Sequence, residues 1–103
     1  MRRQKALHLL SSHSRDIAAH GVKSLTLFGS VARDEARRGS DVDLLVEFAR
    51  PAGYFELVDL RNYLEGLFGC SVDLGTAGAL GPGMRKRVLD EAIHIPTELA
   101  REG

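Results

Sequence analysis

Residues 28–48 read FGSVARDEARRGSDVDLLVEF, and the apolar run in this stretch, residues 44–46, follows two carboxylates, Asp41 and Asp43. Burying a charged group costs free energy unless the charge is paired, so a strand that only filled a core would gain nothing from these aspartates. Side chains two residues apart on a strand point to the same side, which places the two carboxylates together. The apolar side chains that alternate with them point the other way: Val42, Leu44 and Val46. The stretch therefore predicts a two-faced strand, with a pair of carboxylates on one side and core residues on the other.

Helical and strand patterns alternate along the rest of the chain. Glycine or proline follows most of the segments, as expected where an element ends. The predicted helices are 2–20, 30–37, 54–68 and about 82–92, and the predicted strands are 23–28, 41–48, 70–74 and 93–95. This alternation predicts an α/β (α+β) domain with a small central sheet covered mainly on one face. We expect a single domain over residues 1–103, with 97–103 as a flexible tail.

Composition limits the classes of function. The chain has 103 residues, enough for one core, and its 14 basic and 14 acidic residues cancel. A protein that binds long nucleic acid usually has an excess of basic residues, so we expect no such partner. The single cysteine excludes an internal disulfide, and we find neither a signal peptide nor a stretch long enough to span a membrane. These features favour a cytoplasmic protein that does not bind membranes.

The paired carboxylates and a nearby Gly-Ser predict a site for a metal and a phosphate. Two converging carboxylates repel each other unless a proton or a cation lies between them, and Mg²⁺ prefers such oxygen ligands. Gly29 and Ser30 follow a strand and precede a helical turn, where backbone N–H groups and a hydroxyl can bind an anion. Asp73 is a third carboxylate within an apolar strand. A purely structural alternative stays open for each motif taken alone: the Gly-Ser forms an ordinary turn, and the aspartates cap loops.

The stretch LFGSVARDEARRGSDVDLLVEF resembles the signature of the minimal nucleotidyltransferases, small members of the DNA polymerase β-like nucleotidyltransferase superfamily. That signature is Gly-Ser, about ten residues (here Val31 to Ser40), and then Asp-x-Asp. The likeness continues through FELVDLRNYLEGLFG and the VDL strand to LDEAI near the end of the sequence. It covers nearly the whole chain, and its motifs are highly specific.

The resemblance implies a mixed sheet with the active site at one edge. Asp41 and Asp43 would be the principal ligands of Mg²⁺, with two ions expected and Mn²⁺ as an alternative. Asp73 would coordinate metal and assist deprotonation of the attacking hydroxyl, and Gly29 and Ser30 would bind phosphate. The implied reaction is transfer of AMP from ATP to a hydroxyl, with release of pyrophosphate.

Other residues near these motifs leave alternatives. Arg33 lies one helical turn after Ser30 and can either reach a triphosphate or form a surface ion pair with Asp34 or Glu35. Asp34 itself stands where similar proteins often have glycine. Tyr54 and Phe55 begin a predicted helix, where they could flank a base, although packing against the core is the simpler interpretation.

The resemblance also implies a partner. We expect the chain to be too short to hold a separate acceptor domain. Similar minimal nucleotidyltransferases are commonly paired, as antitoxins, with HEPN ribonuclease toxins, which active members adenylylate on a tyrosine. We therefore expect a protein adenylyltransferase that neutralises a HEPN toxin. The alternatives are a non-catalytic module that occludes its partner and a nucleotidyltransferase for a small molecule such as an antibiotic. A homo-oligomer also stays open.

Overall fold

A computed structural model describes residues 2–35, 41–76, 86 and 92–97. The elements in chain order are α1 (Arg3–Ser12), α2 (Ser14–Ala19), β1 (Val22–Phe28), α3 (Gly29–Ala32), β2 (Val42–Phe48), α4 (Tyr54–Phe68), β3 (Val72–Thr76) and β4 (Ile93–Pro96). Within the described part of the chain, no helix has the length and apolar character needed to cross a membrane.

The four strands form one mixed sheet in the order β3-β2-β1-β4. Strand β1 is antiparallel to both β2 and β4, while β2 is parallel to β3. The mixed α/β architecture predicted from the sequence is therefore confirmed. Because β1 and β2 are antiparallel, the end of β1 and the start of β2 lie at the same end of the sheet.

The core lies on one face of this sheet, between the strands and the helices. In the β1–β2 pair, Leu25 is opposite Val46 and Leu27 is opposite Leu44, and all four side chains are buried. Each leucine of this kind contributes about 1.5–3 kcal/mol when it is fully buried. The helices add the following buried residues: Ala6, Leu10, Ile17, Val31, Ala32, Leu60, Leu64 and Phe68. The predicted covering of one face thus matches the packing of the described helices.

Element boundaries differ from the predictions where local backbone geometry intervenes. The predicted first helix is two helices, because His13 has the non-helical angles φ −110° and ψ 20° and serves as the end of α1 and the start of α2. Helix α3 ends at Ala32, well before Arg37, and the chain turns away at Asp34, which has a φ of 60°. Helix α4 has the predicted bounds.

The C-terminal predictions have mixed outcomes. The edge strand at 93–95 is confirmed as β4. The tail was predicted to begin at Thr97, but this is wrong for Thr97, which is buried and donates hydrogen bonds from its hydroxyl to the backbone oxygens of Val22 and Lys23. The predicted helix at 82–92 lies outside the described residues, apart from Lys86, which is helical, and Ala92, which is not. Residues 98–103 also lie outside them.

Candidate active site

The antiparallel and parallel pairings bring the predicted site residues to one end of the sheet. Phe28, the last residue of β1, is opposite Asp43 in β2, so the Gly29–Ser30 turn begins beside this aspartate. On its other side Asp43 is paired with Asp73 of the parallel strand β3. Neighbouring strands are about 4.8 Å apart, which makes these two carboxylates direct neighbours. Asp41 immediately precedes β2, which begins one residue later than predicted.

Gly29 is in close contact with Asp43. Its φ is 74°, in the left-handed region that favours glycine. A Cβ added to Gly29 would lie 3.1 Å from Cγ of Asp43 and 3.3 Å from its Cβ, and closer still to Oδ2. Both the backbone conformation and the space therefore require glycine here. The sequence predicted a phosphate-binding role for this glycine but did not reveal that it admits the aspartate.

Helix α3 begins directly at this contact. Its cap residue Phe28 is extended and makes no side-chain hydrogen bond to the helix. The first N–H groups of any helix have no partner within it, so those at the start of α3 can bind an anion or water. Ser30 is half-buried in the same turn. This arrangement suits phosphate binding by Gly29 and Ser30, which stays a prediction.

The pKa of Asp43 reflects both its burial and the charges around it. Burial raises the pKa of Asp43 above its ordinary value, and the negative charges of Asp73 and then Asp41 raise it further, while the positive charge of Arg33 opposes the shift. Asp41 and Asp73 are both exposed. A cation bound between these groups would relieve the repulsion on Asp43.

The chemistry of this donor set fits a hard divalent cation, because all three side chains offer carboxylate oxygens. Among the residues that the structure describes, no three His, Cys, Asp or Glu side chains converge closely enough to hold one ion together. Mutual repulsion favours separated carboxylates when no cation lies between them. Metal binding by Asp41, Asp43 and Asp73 therefore stays a prediction, supported by their proximity and charge.

Arg33 forms one of the two ion pairs that the sequence left open. Its Nε donates to Oε2 of Glu35 over 3.1 Å, and both side chains are exposed. The carboxylate of Asp34 points elsewhere and accepts a hydrogen bond from the backbone N–H of Arg3 at 3.0 Å. Arg33 lies one turn from Gly29, to whose backbone oxygen its N–H donates at 3.2 Å, and its positive charge opposes the raised pKa of Asp43. Contact with a triphosphate stays a prediction.

Tyr54 and Phe55 do not pack against the core, so that interpretation is wrong. Their exposed fractions are 74% and 80%, and their rings meet nearly edge to face with centroids 6.1 Å apart. Both lie in the first turn of α4. The helical period could have revealed the exposure of Phe55, which lies on the opposite side of α4 from the buried Leu60 and Leu64.

A recess of about 290 Å³ lies at the opposite end of β1 and β2 from the aspartates. Its lining includes His20, Gly21, Ala49 and Arg50, around the end of α2 and the loop after β2. It contains none of the predicted site residues. The chemistry suggested by the sequence belongs to the carboxylate end of the sheet.

Comparisons with known proteins agree with this geometry. A family model described as a nucleotidyltransferase domain matches residues 10–95. The protein adenylyltransferase MntA of Thermococcus cleftensis is 36% identical over 88 residues, covering 84% of this chain and 89% of that protein.

Solved structures share the fold. One that is provisionally described as a minimal nucleotidyltransferase has 38% identity and a TM-score of 0.69, covering 90% of this chain and 95% of that one. Another contains an MNT antitoxin in complex with a tri-AMPylated HEPN toxin of Shewanella oneidensis. The matched chain has 21% identity and a TM-score of 0.59, covering 97% of this chain and 74% of that one, a likeness of fold.

Proposed function

The chain belongs to the nucleotidyltransferase domain family, and on this premise we propose that it transfers AMP from ATP to a hydroxyl of a partner protein. The observation that carries the proposal is the contact of the Gly29 turn with Asp43, whose other neighbour is Asp73. An anion-binding turn and a group of carboxylates thus meet at one end of the sheet. A nucleoside triphosphate with its magnesium ions needs both.

The reaction follows from the chemistry of these residues. Asp41, Asp43 and Asp73 would hold Mg²⁺, which when bound offsets the charge of the phosphates and stabilises the attacking and leaving oxygens. The backbone N–H groups of the turn and the hydroxyl of Ser30 bind phosphate oxygens and so orient the triphosphate of ATP.

Asp73 assists removal of the proton from the acceptor hydroxyl. The acceptor oxygen then bonds to the α-phosphorus of ATP while the bond from that phosphorus to the bridging oxygen breaks. The products are AMP joined to the acceptor and pyrophosphate, and the proton passes to solvent. The protein contributes chiefly position and charge stabilisation, as is usual in transfers of this kind.

We propose that the acceptor is a tyrosine of a HEPN-type ribonuclease toxin, so that the protein acts as an antitoxin in the cytoplasm. A relative at 36% identity is named as a protein adenylyltransferase, which supports a protein acceptor. A fold neighbour in complex with an AMPylated HEPN toxin supports the class of partner. The exposed rings of Tyr54 and Phe55 also suit a protein partner, because aromatic residues are enriched in protein interfaces.

A transfer assay tests the proposal. The protein is incubated with Mg²⁺, a purified HEPN-type toxin and ATP that carries its label on either the α- or the γ-phosphate. We expect the toxin to gain label from α-labelled ATP only. Asp41→Asn and Asp43→Asn should abolish the transfer, since each keeps the volume of the side chain but removes a ligand charge.

Glu47→Gln is the matched control, since Glu47 lies on the same strand as Asp43 but at its other end and is paired with Lys23. It should transfer AMP as the wild type does. Label from the γ-phosphate, or retained transfer in either aspartate variant, would overturn the assignment. Full neutralisation of the toxin by Asp43→Asn would instead support the non-catalytic alternative.

A further inference from the structure

The pairing of Arg33 with Glu35 is unusual for residues two apart beside a helix. Side chains at positions i and i+2 do not face each other on a helix. Here they meet, with Nε of Arg33 3.1 Å from Oε2 of Glu35, because the residue between them leaves the helical conformation. Asp34 has a φ of 60° and is the only non-glycine residue with positive φ in the described part of the chain. The left-handed residue that ends α3 therefore brings these two side chains together.

Hydrogen bonds hold this turn in place. The N–H of Glu35 donates to the backbone oxygen of Ser30 at 2.8 Å, and the N–H of Asp34 donates to that of Val31 at 3.1 Å. The carboxylate of Asp34 accepts from the N–H of Arg3 at the start of α1. Glu35 is thus tied to the same residue that follows Gly29 in the phosphate-binding turn. This backbone hydrogen bond fixes where the main chain of Glu35 lies relative to the Gly29–Ser30 turn.

The turn itself is a Schellman-type end of α3, in which a left-handed residue follows the helix and two backbone hydrogen bonds satisfy its last carbonyls. The ion pair between Arg33 and Glu35 adds little to stability, because both side chains are exposed to water. Arg33 lies one turn from the predicted phosphate-binding turn, since its backbone N–H donates to the backbone oxygen of Gly29 at 3.2 Å. A guanidinium is a rigid plane with N–H donors along its edges, so the bond from Nε to Glu35 fixes the orientation in which the group can meet a phosphate.

We propose that Glu35 is a positioning residue, which holds the guanidinium of Arg33 in the orientation that binds the triphosphate of ATP. The inference rests on the proposed function and adds a residue to it. Glu35 touches neither the nucleotide nor the aspartates in this scheme. It acts only through Arg33, which makes the proposal testable by coupling.

A double-mutant cycle provides the test. The affinity for a non-hydrolysable ATP analogue with Mg²⁺ is measured for the wild type, Glu35→Gln, Arg33→Ala and the double variant. We expect Glu35→Gln to weaken binding by roughly two- to 150-fold, the span typical of coupled neighbours. In the Arg33→Ala background the same change should have no effect. In transfer assays, KM for ATP should rise in Glu35→Gln while kcat changes little.

Two further variants separate positioning from a structural role. Asp34→Gly removes the bond to Arg3 but keeps a residue that favours positive φ, so it should retain nucleotide affinity. Glu47→Gln removes a comparable exposed ion pair and should behave as the wild type. Thermal melting of each variant reports whether the fold is intact.

The outcomes distinguish this inference from the proposed function. A wild type that binds the ATP analogue, together with an equal effect of Glu35→Gln in both backgrounds or no effect in either, would overturn the role of Glu35 alone. A wild type that binds no ATP analogue in the presence of Mg²⁺ would overturn the proposed function, and with it this inference.

Discussion

Replacing Gly29 by alanine tests the contact on which the site is built. The φ of 74° costs an alanine about 1–2 kcal/mol. The added Cβ would lie 3.1 Å from Cγ of Asp43 and closer to Oδ2, and overpacking of this kind costs about 1–3 kcal/mol. We therefore expect Gly29→Ala to destabilise the protein by about 2–5 kcal/mol, the sum of the two costs. Displacement of Asp43 should also abolish metal-dependent binding of ATP.

The chain offers a close control for the backbone cost. Gly69 has a φ of 72°, and a Cβ at this position would meet nothing within 4 Å. Gly69→Ala should therefore cost only about 1–2 kcal/mol. Urea unfolding measures both free energies. In an Asp43→Ala background, the excess cost of Gly29→Ala over Gly69→Ala should largely disappear, because the Cγ and oxygens that the new Cβ meets are gone. If Gly29→Ala is no more destabilising than Gly69→Ala, the reasoning about this contact is wrong.

Two further predictions concern Asp43. The pKa of Asp43 is raised in the folded protein, so folding favours the protonated carboxyl. The stability that this group contributes is therefore fully present below its pKa in the unfolded chain, about 3.9, and is lost as pH rises through its pKa in the folded protein. Asp43→Asn should then leave the metal-free protein no less stable at pH 7, and pH-dependent unfolding should show a smaller loss of stability as pH rises; a destabilised variant would contradict this. Mg²⁺ with ATP should raise the melting temperature of the wild type but not of Asp43→Asn, and an equal rise in both would count against a metal role for Asp43.

The local patterns of the sequence predicted most of the fold. Alternation in β1 and β2 indicated which side chains enter the core, and the helical spacing of leucines gave the bounds of α4. These features depend on the direction of successive side chains, which repeats every 2 residues in a strand and every 3.6 residues in a helix. The site also followed from local order, since a Gly-Ser after one strand and Asp-x-Asp at the next meet when the strands are antiparallel.

Contacts distant in sequence could not be predicted in this way. The fit of Gly29 against Asp43 depends on strand register, and the burial of Thr97 depends on its docking beside the start of β1. The exposure of the Tyr54 ring depends on the packing around the start of α4, where the described part of the chain leaves it uncovered. Asp34 gave a local hint, because it stands where similar proteins often have glycine, and its positive φ explains that preference.

Calorimetric titration with a non-hydrolysable ATP analogue tests most directly whether the Gly29–Ser30 turn and the three aspartates form one metal-bridged nucleotide site. A pair of carboxylates leaves most coordination positions of Mg²⁺ to water and phosphate, so the metal and the nucleotide should each bind better in the presence of the other. We predict clear binding of the analogue with Mg²⁺, much weaker binding with excess chelator, and the loss of this difference in Asp41→Asn. Equal affinity of the wild type with and without chelator would contradict the account.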